Sequence, residues 1–127
     1  MIKPNTLKPI EIGFGESKVI FHLRMISVAE EDAVQQKFND ISDSDTDKWQ
    51  KQYDVCRDAL GEFSVEMPQT LLKEKAEFKR VPLVEAAETP TAAIDVFFKE
   101  RTIENERTIR DAFWLFKSQL ASESRFL

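Results

Sequence analysis

Strand-like alternation is confined to one short stretch of this chain; beyond it, apolar residues recur mostly at helical spacing. In "IEIGFGESKVIFHLRMI", Ile10, Ile12 and Phe14 fall on one face of a strand, and Val19, Phe21 and Leu23 do the same in a second. Gly15-Glu16-Ser17 between them is turn chemistry, so residues 10–24 read as a β-hairpin. A lone hairpin is marginal in water. It must pack on helices or pair with another chain.

Helix signals follow. Ser27 with Glu30 three residues on is a capping box, and Glu30, Glu31 and Asp32 sit where a helix dipole favours acids. Val34, Phe38 and Ile41 mark the apolar face of this first helix. A second carries Trp49, Tyr53, Cys56, Leu60 and Phe63 in steps of four, three, four and three, a core-facing stripe. Gly61 is expected to weaken or end it, and Pro68 to enforce a break. "QTLLKEKAEFKR" reads as a short helix with Leu71, Leu72 and Phe78 as its apolar members, closed by Pro82. Thr89 then caps a helix with Pro90 at its first position, burying Ile94, Phe97 and Phe98. A last helix from about Thr102 carries Ile109, Phe113, Phe116 and Leu120 on one stripe. The expected fold is α+β: one domain over residues 1–127, with an N-terminal hairpin (10–24) and a helical body of four or five helices (27–127).

Charge narrows the function. The 127 residues carry a net charge of -5, so a nucleic-acid footprint is not expected. Residues 27–66 hold eleven acidic and four basic side chains, the most acidic part of the chain. No stretch reaches the roughly 20 apolar residues of a membrane span. The opening "MIKPNTLKPIEIG" lacks the apolar run of a signal peptide. The single cysteine, Cys56, forms no internal disulfide, so a cytoplasmic protein is expected.

Candidate chemistry is sparse. "DSDTDKWQKQYD" places Asp43, Asp45, Asp47 and Asp54 at positions 1, 3, 5 and 12 of a calcium loop. Position 6 is Lys48 where the loop needs Gly, and position 12 lacks the bidentate Glu. The better reading is a helix entrance, with Asp45 or Thr46 as cap and Asp54 inside the helix. His22 is the only histidine and has no partner for a transition-metal site. Cys56 reads as a buried small hydrophobe. Gly13-Phe14-Gly15 lacks the spacing of a phosphate loop. Arg101, Arg107 and Arg110 alternate with Glu100, Glu104, Glu106 and Asp111 as on a salt-bridged, solvated face. The expectation is no enzyme, no cofactor and no metal.

The order of parts, "VIFHLRMISVAEEDAVQQKFNDI" followed by "DKWQKQYDVCRDALGEF", resembles the tail assembly chaperones of long-tailed bacteriophages. The resemblance covers residues 19–63. It implies a non-enzymatic assembly factor in the host cytoplasm. Such a factor coats the helical tape-measure protein before tail-tube subunits polymerise around it. A structural virion component, such as a head–tail connector or tail terminator, is the alternative. The paired aromatics Phe97-Phe98 and Phe113-Trp114, with Phe116, exceed what one helix face buries, so they are the candidate partner-binding residues. A homo-oligomer using the hairpin edge and the carboxy-terminal helix is also expected.

Overall fold

A computed structural model of the chain describes residues 7–14, 17–100 and 102–124. Eight elements follow in order: β1 (Ile10–Phe14), β2 (Ser17–Phe21), α1 (Val28–Asn39), α2 (Lys48–Glu62), β3 (Gln69–Glu74), β4 (Glu77–Pro82), α3 (Pro90–Phe97) and α4 (Ile103–Ser124). The α+β class is as expected. Four antiparallel strands form one sheet in the order β1-β2-β3-β4.

The first hairpin has the expected register. Ile10 pairs with Phe21 and Ile12 with Val19, which puts the alternating apolar set on one face. Its turn residues Gly15 and Glu16 lie outside the described residues. Leu23 falls beyond β2 and bridges Ser64 instead. Three backbone bonds fasten that segment: Leu7 N–H to Leu23 C=O, Arg24 N–H to Phe63 C=O, and Val65 N–H to His22 C=O. The end of α2 is thereby stitched to the end of the hairpin.

Residues 69–82 correct the sequence reading. They form a second hairpin, not a helix. The helix would have run about twelve residues between Pro68 and Pro82 on three apolar side chains, a marginal length in water. As strands, the same residues pair with each other from Glu74↔Glu77 to Gln69↔Pro82, and they close the open edge of β2 through Val19↔Thr70 and Ile20↔Gln69. The Thr70 hydroxyl donates to Lys18 C=O, 2.8 Å. The two-residue turn puts Lys75 at φ 56°, a left-handed conformation unusual outside glycine and asparagine. The helical body is therefore interrupted, and four helices remain. The edge of the N-terminal hairpin expected to recruit another copy is occupied on the β2 side by β3.

The helix starts largely follow their signals. Ser27 and Glu30 form a reciprocal capping box, and the Thr89 hydroxyl accepts from Ala92 N–H ahead of Pro90. The entrance to α2 differs. Asp47 occupies the cap position without a side-chain bond to the helix. Asp45 instead accepts from Ser42 N–H and pairs with Lys51 at 2.9 Å, which lowers its pKa. Trp49, expected in the core, lies in the first turn of α2 and is exposed.

The core gathers Tyr53, Cys56, Ala59, Leu60 and Phe63 from α2, and Ile109, Ala112, Phe113, Phe116 and Leu120 from α4. The sheet adds Ile10, Val19 and Phe21, and α3 adds Ile94 with Phe98 at its end. α2 ends at Glu62, beside Gly61 as expected, and the glycine has a second role. A Cβ there would stand 1.9 Å from Thr91 Oγ1 and 2.9 Å from Thr91 Cα, so the glycine permits the close approach of α3.

Two stability outcomes follow from these contacts. Gly61→Ala should lower the melting temperature by several degrees. Overpacking of about 1–3 kcal/mol outweighs the roughly 1 kcal/mol gained in helix propensity. An unchanged or raised melting temperature would refute the close approach. The second concerns Glu30, whose carboxylate accepts from Arg24 at 2.6 Å and 3.2 Å and from Ser27 N–H. The Arg24 hydrogen bonds, with the Ser27 amide, lower its pKa from 4.5 to about 2. A depressed carboxylate stabilises the fold above its unfolded pKa and loses that contribution as pH falls through its folded pKa. Thermal melts of wild type and Glu30→Gln should therefore differ at neutral pH and converge from about pH 4.5 down to about pH 2. A pH-independent difference would contradict this assignment.

Candidate functional site

The acidic stretch 43–54 divides into a loop and a helix. Asp54 lies inside α2 and pairs with Arg57 at 3.4 Å, while Asp45 and Asp47 both engage Lys51. Three of the four carboxylates that a calcium loop would converge, Asp45, Asp47 and Asp54, are committed to lysine and arginine. Among the described residues no group of three or more His, Cys, Asp or Glu side chains is placed to hold a metal ion.

His22 is half-buried and held by both ring nitrogens. Nε2 bonds Gln69 Oε1 at 3.1 Å, and Nδ1 lies 3.0 Å from Glu66 Oε1. The ring thereby links β2 to the start of β3, a structural use. Cys56 is buried between α2 and α4, and burial pushes its thiol pKa up to about 12. Nucleophilic chemistry requires the thiolate, which this site disfavours. Thiol-alkylating reagent at pH 8 should leave Cys56 unmodified in the native protein and label it on unfolding. Rapid native labelling would overturn the burial assignment.

Arg57 is the densest ion-pair centre, facing Asp54, Asp58 and Asp95 at 3.4, 3.0 and 3.2 Å. Asp95 belongs to α3, so this cluster ties α2 to α3.

The five candidate partner residues separate. Phe98, Phe113 and Phe116 are core side chains, removed from water on folding and unavailable to a partner. Phe113 packs on Phe38 at 5.5 Å between ring centroids, and Phe116 on Phe63 at 5.9 Å. Phe97 is partly buried against the core, edge-on to Phe98 at 4.9 Å. Trp114 alone of the five stands on the surface, 58% exposed. The reason is helix geometry. Phe113 and Phe116 follow the inward stripe, and Trp114 is rotated about 100° from Phe113.

Sequence reasoning missed a second surface indole. Trp49 is 54% exposed, with the Arg110 guanidinium 5.4 Å from its ring centroid and Lys48 Nζ at 5.0 Å. Arg110 lies one turn before Trp114 on the same side of α4, and Lys117 Nζ sits 5.7 Å from the Trp114 ring. The two exposed tryptophans are thus linked by a cationic strip, Arg110 and Lys117, along the outward face of α4. Arg107 and Ile103 continue that face, both exposed, with Asp111 at its margin. Cation–π contacts hold the indoles in place without burying them. The missed signal was position: a residue in the first turn of a helix overhangs the core even when it falls on the apolar stripe.

No protein family, curated protein or solved structure matches the chain. No described helix is long and apolar enough to cross a membrane.

Proposed function

We propose that this protein is a tail assembly chaperone of a long-tailed bacteriophage. It binds amphipathic segments of the helical tape-measure protein and presents them to tail-tube subunits in the host cytoplasm. One observation carries the reading: the outward face of α4 displays exposed Trp114 and leads through Arg110 to exposed Trp49. A long amphipathic helix needs an apolar surface to shield its apolar stripe, and rigid aromatics provide one at low entropic cost. The cations on either side of Trp114 favour a partner helix flanked by acidic residues. Trp49 and Trp114 are the two exposed indoles; the other exposed aromatic ring among the described residues, Phe78, stands apart on the β3–β4 hairpin.

Purified protein and the tape-measure protein of the same phage provide the test. The two should form a complex. Trp114→Ala should weaken it about thirty-fold, equivalent to about 2 kcal/mol, while the melting temperature stays within a degree or two. A collapse of the melting temperature would place Trp114 in the core and remove the surface. Binding that is unaffected would move the interface elsewhere. Finding the protein in purified virions in stoichiometric amount would favour a structural tail or connector component over an assembly factor.

A further inference from the structure

The second hairpin is tied to β1 where Arg80 donates to Glu11 at 3.1 Å, and its outer strand is exposed. β2 pairs with β3 only at Val19↔Thr70 and Ile20↔Gln69, so the pairs from Leu71↔Arg80 to Glu74↔Glu77 continue past that contact as a two-stranded arm. β4 is the outer strand of the sheet. The arm displays Phe78 at 62% exposure and Leu72 at 48%. An outer strand that exposes a large apolar side chain such as Phe78 can pair with another strand, and Lys79, Arg80 and Pro82 on the same strand limit the registers open to it. Two-stranded ribbons are also marginal by themselves.

We propose that β4 is a self-association edge, where two copies of this chain pair antiparallel about a twofold axis through Phe78. The register follows from the hairpin. Leu83 N–H donates to Pro68 C=O and the turn closes at Glu74↔Glu77, so Glu77, Lys79 and Val81 direct their backbone groups toward β3. Phe78 and Arg80 direct theirs to the outer side. A twofold antiparallel pair must be centred on one residue, because hydrogen-bonded and non-hydrogen-bonded pairs alternate along the strand.

Three centres are then available. Centring on Lys79 sets it against its own copy at the closer, non-hydrogen-bonded spacing, a like-charge pair. Centring on Arg80 opposes Arg80 to Arg80 and wastes a bond at Pro82, which has no N–H. Centring on Phe78 exchanges two backbone bonds between the Phe78 copies and sets the rings side by side. It also places Glu77 opposite Lys79 of the other copy on both sides of the axis. Charge complementarity therefore selects this register.

Lys75 and Lys79 outnumber Glu77 on the arm, while Arg80 is paired with Glu11 at 3.1 Å, so two arms repel at long range. The attraction must come from the paired contacts, with the phenylalanine pair the largest single part. The dimer joins two marginal ribbons into one four-stranded sheet. It leaves Trp49, Arg110 and Trp114 on a different part of the fold, so the inference stands independently of the proposed chaperone role.

Sedimentation of the full-length protein over a concentration series tests the pairing. Wild type should show a reversible monomer–dimer equilibrium. Glu77→Lys and Lys79→Glu, each alone, should weaken it roughly tenfold or more, since each opposes like charges twice across the axis. The double exchange Glu77→Lys/Lys79→Glu should restore it. Both positions are exposed, so far-UV circular dichroism and melting should stay at wild-type values. A protein that is monomeric throughout the series overturns the proposal. So does a dimer that ignores both charge reversals or is not restored by the double exchange.

Discussion

The seam between α2 and α4 is the interaction on which the fold depends. Phe63 closes the C-terminal end of α2, and its ring meets Phe116 of α4, which in turn neighbours Phe113. Phe113 continues the contact to Phe38 of α1. Arg24, in the segment following β2, lays its guanidinium 5.2 Å from the Phe63 ring while donating to Glu30 at the start of α1. The Phe63 carbonyl also accepts from Arg24 N–H. One aromatic side chain and its backbone thus connect the sheet, α1, α2 and α4. Packing of this kind resists volume change, because the surrounding elements cannot all relax at once. Truncating Phe63 would unsettle more elements than truncating any residue on the outer face of α4.

The same seam explains why α4 has two functional sides. Its inward stripe is spent on the core, and 22 residues of helix leave a long outward surface. Trp114 stays on that surface because of its angle on α4, Trp49 lies beside it in the first turn of α2, and Arg110 and Lys117 hold the two rings against the protein. Two large indoles displayed this way form a candidate interaction surface, for which an amphipathic partner helix is proposed.

Much of this architecture is legible in the residues. The Ile10–Phe21 and Ile12–Val19 pairs follow from alternation, and the caps at Ser27 and Thr89 follow from side-chain oxygens in the right place. The inward stripe of α4 follows from period alone. Residues 69–82 were not legible, because Lys, Glu and Ala give them helical character while the deciding factor is the open edge of β2, some fifty residues away in sequence. The second role of Gly61 was hidden for the same kind of reason. Its need for no side chain is set by Thr91 on another helix. At the candidate surface, Trp114 was legible from its angle on α4. Trp49 was not, because its first-turn position depends on where α2 begins. Phe98, Phe113 and Phe116 looked excessive for one helix face only while the neighbours that cover them were unknown.

Both tryptophans face solvent while Phe21, Phe63, Phe98, Phe113 and Phe116 form the core. The chain has only two tryptophans, so its indole fluorescence reports on this surface alone. Emission and collisional quenching by acrylamide and iodide test it directly in dilute native protein. The account predicts red-shifted native emission, ready quenching, and little further shift on unfolding in guanidinium chloride. Blue-shifted native emission that resists quenching and moves to the red on unfolding would contradict it.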